Sequence, residues 1–319
     1  MPLAPPPGTP PHDRPQPFLL AMRARDWAWW RPLLGLLVFA FVYVVVGAIT
    51  LLLGVVGLVA AGTRNPAELS DPAFLLVTNL ATMAAIPVVW VLWVAAHGMR
   101  RGWSSSVLGR LRWRLIGPYV PLALATIGVA IVLSLLLSGL GGGQHVGPVP
   151  NFGLLLVVVL LTTPLQSAAE EYLFRGYLSQ AVAGWVGRPV AGAVVAGLVT
   201  AALFSLAHAP PDLATFVQRF AVGLAASAVV WLTGGLEAAI VLHAVNNVVV
   251  FLLVGALGGG VAGTDSATGG QWTDVVLTLL ALSGYVALVA ASRHRLRPET
   301  RTAALDLRGP HPAVRVPAG

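Results

Sequence analysis

Three short groups of polar residues interrupt a chain that otherwise avoids them. They are Glu170-Glu171 with Arg175, Phe204 with His208, and His243 with Asn247. On a helix, residues four apart share a face, so Glu171 meets Arg175, Phe204 meets His208 and His243 meets Asn247. Glu170 is rotated by about 100° from Glu171 and points elsewhere. A division of labour follows. Glu171 and Arg175 neutralise each other, and Glu170 is left to face a wet cavity as a general base. A histidine beside a carboxamide suits the holding of a developing oxyanion. Each group also has a plainer reading. Carboxylates can reach the headgroup zone, a lone histidine on an apolar face is more often a packing group, and histidine with asparagine can be polar glue between helices. Asn246 points off the shared face and is given no role.

These residues sit inside long apolar runs. The chain has 319 residues, is 57% hydrophobic and only 10% charged, with a mean hydropathy of +0.82. That composition marks a polytopic membrane protein. Long runs instead of short alternating segments make it an all-α helical bundle and not a barrel. An ionisable group at membrane depth costs at least ~2.5–3.5 kcal/mol, so function is the default reading of the charges near 170. At ~20 apolar residues per span, about eight transmembrane helices are expected: 33–61, 74–97, 116–140, 152–184, 189–208, 213–233, 236–258 and 272–292. No cysteine is present, which removes disulfides, thiolate metal sites and a cysteine nucleophile.

The net charge is +7 and every basic residue is arginine. The arginines gather at the N-terminus, in 98–115 and in the tail after 293. That pattern points to membrane orientation and anionic lipid, not to nucleic acid. The positive-inside rule puts both termini in the cytoplasm, and an even number of spans agrees. Five regions are expected. Residues 1–31 form a disordered Pro-rich start (1–17) and an interfacial segment rich in Trp and Arg (18–31). Residues 32–149 hold the first helices, 150–258 a catalytic membrane core, 259–292 the last loop and helix, and 293–319 a basic disordered tail. No cleavable leader is expected before the apolar run at 33–61.

Taken together, Glu170-Glu171/Arg175, Phe204/His208 and His243/Asn247 resemble the pattern of the CPBP intramembrane proteases, the relatives of the CAAX prenyl protease Rce1 and of the Abi proteins. Gly176 after the arginine is also typical, and the resemblance covers about 150–255. It implies an intramembrane endopeptidase. Glu170, helped by His208, would activate water; His243 and Asn247 would stabilise the oxyanion; Glu171, Arg175 and Phe204 would support them. It implies membrane lipid and a protein or peptide substrate as partners. No cofactor is expected. The alternative is zinc on Glu170, His208 and His243, a three-ligand set with one open position. Against zinc, no His-Glu-x-x-His is present and asparagine is a poor ligand. The other functional readings are a catalytically silent scaffold or immunity-type protein, and a proton-coupled transporter. Arg175 beside the carboxylates and the lack of an evident repeat count against transport. Arginine-only basic usage with Ala, Val and Gly richness looks bacterial, and nothing indicates prenylated substrates.

One difficulty concerns depth. Measured from the turn at 187–189, Glu170 and His208 lie roughly 22 and 30 Å away along their helices. His243 lies only about 10 Å past the turn at 234–235. If both turns end at one level, the three groups do not meet. A kink near Pro164, a surface-lying segment at 176–187 or a broken span at 192–197 would each reconcile them.

Overall fold

A bilayer offers no partners to backbone N–H and C=O groups, so each apolar run closes its hydrogen bonds within itself as a helix. The computed structural model describes residues 11–24, 26–60, 72–140, 147–257 and 271–304. Among them, eight helical stretches are long and apolar enough to cross a membrane, and no strand is formed. The protein is an all-α polytopic bundle. The first stretch is α1 (Trp30–Ala60). The second is α2 (Pro72–Met83) with α3 (Ala85–Ala95); Pro87 has no N–H to offer the Met83 carbonyl, and the helix is interrupted at Ala84. The third is α4 (Trp113–Ala123), which passes through a π turn into α5 (Val129–Leu140). The fourth is α6 (Phe152–Leu173), which passes through a second π turn at Phe174–Leu178 into α7 (Ser179–Val186). Then come α8 (Pro189–Ala207), α9 (Leu213–Thr233), α10 (Glu237–Ala256) and α11 (Trp272–Leu296).

The helix α6 is central, packed on α2 and α3 on one side and on α10 on the other. Asn79 on α2 donates to Thr162 (2.8 Å) and Thr163 (3.3 Å) on α6. The hairpin of α7 and α8 leads to α9, which in turn packs on α10 and α11.

The depth difficulty disappears because the two turns do not lie at one level. Leu236, at the α9–α10 turn, stands beside Gly176, where an added Cβ would lie 3.5 Å from the Leu236 side chain and 2.7 Å from the Ser104 carbonyl. The Leu236 N–H donates to Ser105 O (2.9 Å), and Ser105 Oγ is 2.8 Å from the Tyr172 hydroxyl. The hairpin of α7 and α8 therefore extends beyond the α9–α10 turn by about 15 Å, the rise of the ten residues from Gly176 to Val186. Counted from that common level, Glu170 and His243 are six and seven residues along their helices. None of the three devices expected from the sequence is needed; α6 runs through Pro164 unbroken.

The ends are more ordered than expected. Residues 1–17 were expected to be disordered, but the described part, 11–17, is held against the protein, with His12 and Pro17 buried. In the segment expected to be interfacial, 18–31, Phe18, Leu19, Leu20, Ala21 and Met22 are buried in the protein, with the Met22 N–H donating to Gln180 on α7 (3.1 Å). Trp29 and Trp30 do remain exposed. The tail after 293 was also expected to be disordered, but α11 continues to Leu296. Residues 297–304 then run back along the start of the chain. Thr302 N–H donates to Gln16 O (2.8 Å), Gln16 N–H to Thr302 Oγ1 (2.9 Å), and Pro17 bridges to Arg301. The apolar cluster of residues 18–22 supplies the burial that the Pro-rich composition around it concealed. Residues 1–10 and 305–319 lie outside the described residues.

One buried cation ties this end together. Arg112 donates to Glu237 through its backbone N–H (2.7 Å), Nε (2.9 Å) and Nη2 (2.6 Å), to Thr233 O (3.1 Å) and to Glu299 O (2.7 Å). The Arg112 and Glu237 side chains are 2% and 0% exposed. Removing one member of such a pair strands the other charge. Glu237→Ala should therefore lower unfolding free energy by about 3–5 kcal/mol. Glu299→Ala, which removes a half-exposed partner, should lower it by less than about 1 kcal/mol. Denaturation of the purified protein in detergent measures both.

His97, just past α3, is buried with Nε2 3.1 Å from the Tyr177 hydroxyl. Burial, reinforced by the charge of Arg31, pushes its pKa from 6.5 down to about 4. The unfolded chain takes up the proton first as pH falls. The stability is complete above about pH 6.5 and declines toward pH 4, by about 3 kcal/mol in total. A thermal-midpoint series over that range should slope downward, and His97→Gln should flatten it.

Candidate functional site

The buried pair at the centre of the bundle comes first. Arg175, in the π turn after α6, is fully buried and donates through Nη1 to Glu171 Oε1 (2.9 Å) and through Nη2 to Gly223 O on α9 (2.7 Å). Gly223 permits this approach, since a Cβ there would lie 2.8 Å from Ala201 Cα on α8. Glu171 Oε1 also receives Nδ1 of His243 from α10 (2.9 Å). With its Nδ1–H held by the carboxylate, His243 presents Nε2 to the other side.

That other side holds Glu170. Its Oε2 is buried without a protein hydrogen-bond partner. It stands 3.8 Å from His243 Nε2 and 3.7 Å from His208 Nε2. His208 caps the end of α8, and its Nδ1 is 2.7 Å from the Phe204 carbonyl. Both imidazoles are thus oriented through Nδ1 and aim Nε2 at one carboxylate oxygen. These separations are too long for direct hydrogen bonds.

Phe204 is the apolar hub beneath them. Its ring centroid is 4.6 Å from that of His208, 5.5 Å from His243 and 5.3 Å from Phe174, with the Arg175 guanidinium carbon 5.0 Å from it. The two catalytic-type imidazoles and the buried cation therefore share one aromatic partner. Asn247 lies one turn beyond His243, with Nδ2 3.4 Å from both Gln166 Oε1 and Ser167 Oγ.

All seven residues singled out in the sequence come together. Two others join them. Gln166, four residues before Glu170 on the same face of α6, donates through Nε2 to Glu170 Oε1 and accepts from Asn247. Asn246, given no role, donates to Asn247 Oδ1 (3.1 Å) and lines the same cavity. That cavity has a volume of about 600 Å³, with Glu170, His208, His243 and Asn247 in its wall.

Zinc would fall to the same donors, Glu170, His208 and His243. Among the described residues, no group of three or more His, Cys, Asp or Glu side chains is arranged to hold a metal ion.

Comparison with known proteins follows from this geometry. The chain is 25% identical over 240 residues to "Uncharacterized protein YyaK" of Bacillus subtilis (strain 168), a match covering 70% of this chain and 78% of that protein. No solved structure matches. Residues 150–249 match the family described as "Type II CAAX prenyl endopeptidase Rce1-like". The matched segment runs from the start of α6 into α10 and contains every residue of the constellation, so the likeness to the Rce1-like family falls on the part of the chain that forms the site.

Proposed function

We propose that the protein is an intramembrane endopeptidase that hydrolyses peptide bonds of membrane-associated proteins or peptides by a glutamate-activated water. The observation that carries this reading is the Glu170 carboxylate in the wall of a cavity inside a membrane bundle, with two oriented imidazoles aiming Nε2 at its Oε2. In this reading Glu170 accepts a proton from the water, and the oxygen attacks the scissile carbonyl carbon. The negative charge that develops on the carbonyl oxygen is met by Asn247 Nδ2–H and, in its protonated form, by His243 Nε2–H. The C–N bond then breaks as the proton passes from Glu170, assisted by His208, to the departing amine. Glu171 and Arg175 fix His243, and Phe204 packs both rings. The arginine asymmetry supports an orientation with both termini in the cytoplasm, as in a bacterial cell membrane.

The test is cleavage of a broad peptide library by the purified protein in nanodiscs, read by mass spectrometry. Glu170→Gln should reduce product formation by about 100- to 10,000-fold, the range for a lost general base. Asn247→Ala should reduce kcat by about 100- to 1,000-fold, as for a lost oxyanion donor. Both variants should keep the parent's thermal midpoint within a few degrees. A chelator should leave the parent's activity intact; loss on chelation with recovery on added zinc would replace this mechanism with a metal-dependent one.

A further inference from the structure

The cavity below Glu170 is built from one half of the bundle only. The end of the bundle that carries both termini is sealed. Between Glu170 and that end lie the buried Glu171–Arg175 pair, the Tyr172 hydroxyl on Ser105, and Gly176 pressed against the Ser104 carbonyl. Beyond them, the buried residues Phe18 to Met22 pack on α7, and the returning segment around Thr302 pairs with Gln16 and Pro17. No lining residue of the cavity comes from these layers.

In the opposite direction the cavity continues. Ile131 in the first turn of α5 and Leu135 in its middle, Val254 near the end of α10 and Asp274 in the first turn of α11 all line it. Two polar bridges stand along its wall: Gln218 on α9 donates to Thr278 on α11 (2.9 Å), and Ser134 donates to Asp274 (2.5 Å). From His243 to Val254, both in the wall, α10 rises by about 16 Å, the length of about five extended residues. The wall is mixed, with Thr215, Arg219 and Asn246 among aliphatic side chains such as Val222 and Leu282.

Charge assigns the two ends. Among the described residues, thirteen of the fifteen arginines fall in the segments at the terminus-bearing end. The other two are the buried Arg175 and Arg219 in the cavity wall, and the opposite end has Asp212 and Asp274. On the positive-inside rule the sealed end is cytoplasmic. We infer that the site is served from the extracytoplasmic face, and that its substrate is an extended peptide segment presented from that half of the membrane. A polypeptide end lying free in the cytoplasm is not its substrate. The substrate class rests on the proteolytic reading above; the side of access does not.

The natural sequence has no cysteine, so one introduced thiol reports alone. Val254→Cys and Leu135→Cys place it in the cavity wall, and Arg110→Cys places it on the exposed surface of the terminus-bearing end. The full chain is expressed in bacteria and treated with a membrane-impermeant maleimide, in intact cells and in inverted vesicles. Both cavity variants should be labelled in intact cells and lose that labelling in inverted vesicles, with Arg110→Cys showing the reverse. Cavity labelling only from the side that labels Arg110→Cys overturns the inference, and so does cavity labelling from neither side. Peptide cleavage is scored separately, so an inactive protein with an outward-facing cavity would fail the proteolytic reading and leave the access route standing.

Discussion

The Glu171–Arg175 ion pair is the constraint on which the rest of the site depends. Both side chains are essentially without solvent, so neither charge is tolerable alone. The pair also reaches outside its own helix. Arg175 takes the Gly223 carbonyl of α9, and Glu171 takes the His243 imidazole of α10. Three helices are thereby registered against one another, and the register sets the direction of His243 Nε2. A pair kept only for stability would be replaceable by apolar residues of similar volume at little cost. Here that replacement would release the imidazole.

The contrast between Glu170 and Glu171 follows from helix geometry. Adjacent residues differ by about 100° in direction, so one carboxylate is aimed at the interhelical core and the other at the cavity. Their side chains are 1% and 16% exposed. Glu171 Oε1 takes an arginine and a histidine, whereas Glu170 Oε1 takes only the Gln166 amide; Oε2 of each is without a protein hydrogen bond, and only Glu170 lines the cavity. The doublet therefore separates a fixed charge from a reactive one within two residues. Phe204 adds to this, because a ring against both imidazoles limits how far either can turn away from Glu170.

Most of this was legible in the sequence where the signal was local. Eight apolar runs gave eight helical stretches, and the four-residue spacings placed each polar pair on one face. Gln166 and Asn246 escaped because nothing local distinguishes an amide that faces a cavity from one that faces a neighbouring helix. The depth of the site was misjudged because equal helix ends were assumed. Nothing in the composition of 174–187 reveals that the chain overshoots the Leu236 level before turning. The buried start of the chain was missed for a related reason. Phe18 to Met22 is a short apolar cluster between Pro-rich and Arg-rich neighbours, and only the tertiary surface of α7 makes it a core element.

That misreading bears on how the molecule handles two incompatible demands. A hydrolase in a bilayer must admit water to one carboxylate while keeping buried charges nearby dry. If water reached Arg175 or Glu171 freely, the field that orients His243 would be screened. The fold separates the two by placing them on opposite sides of a single helical turn. The wet side is the cavity, lined by Glu170 and Asn247. On the dry side, Arg112 with Glu237 locks the α9–α10 turn, and the two chain ends cover the α7 side of the same end of the bundle. The terminal segments, which carry none of the chemistry, are in this way part of what keeps the charged half of the site rigid and unsolvated.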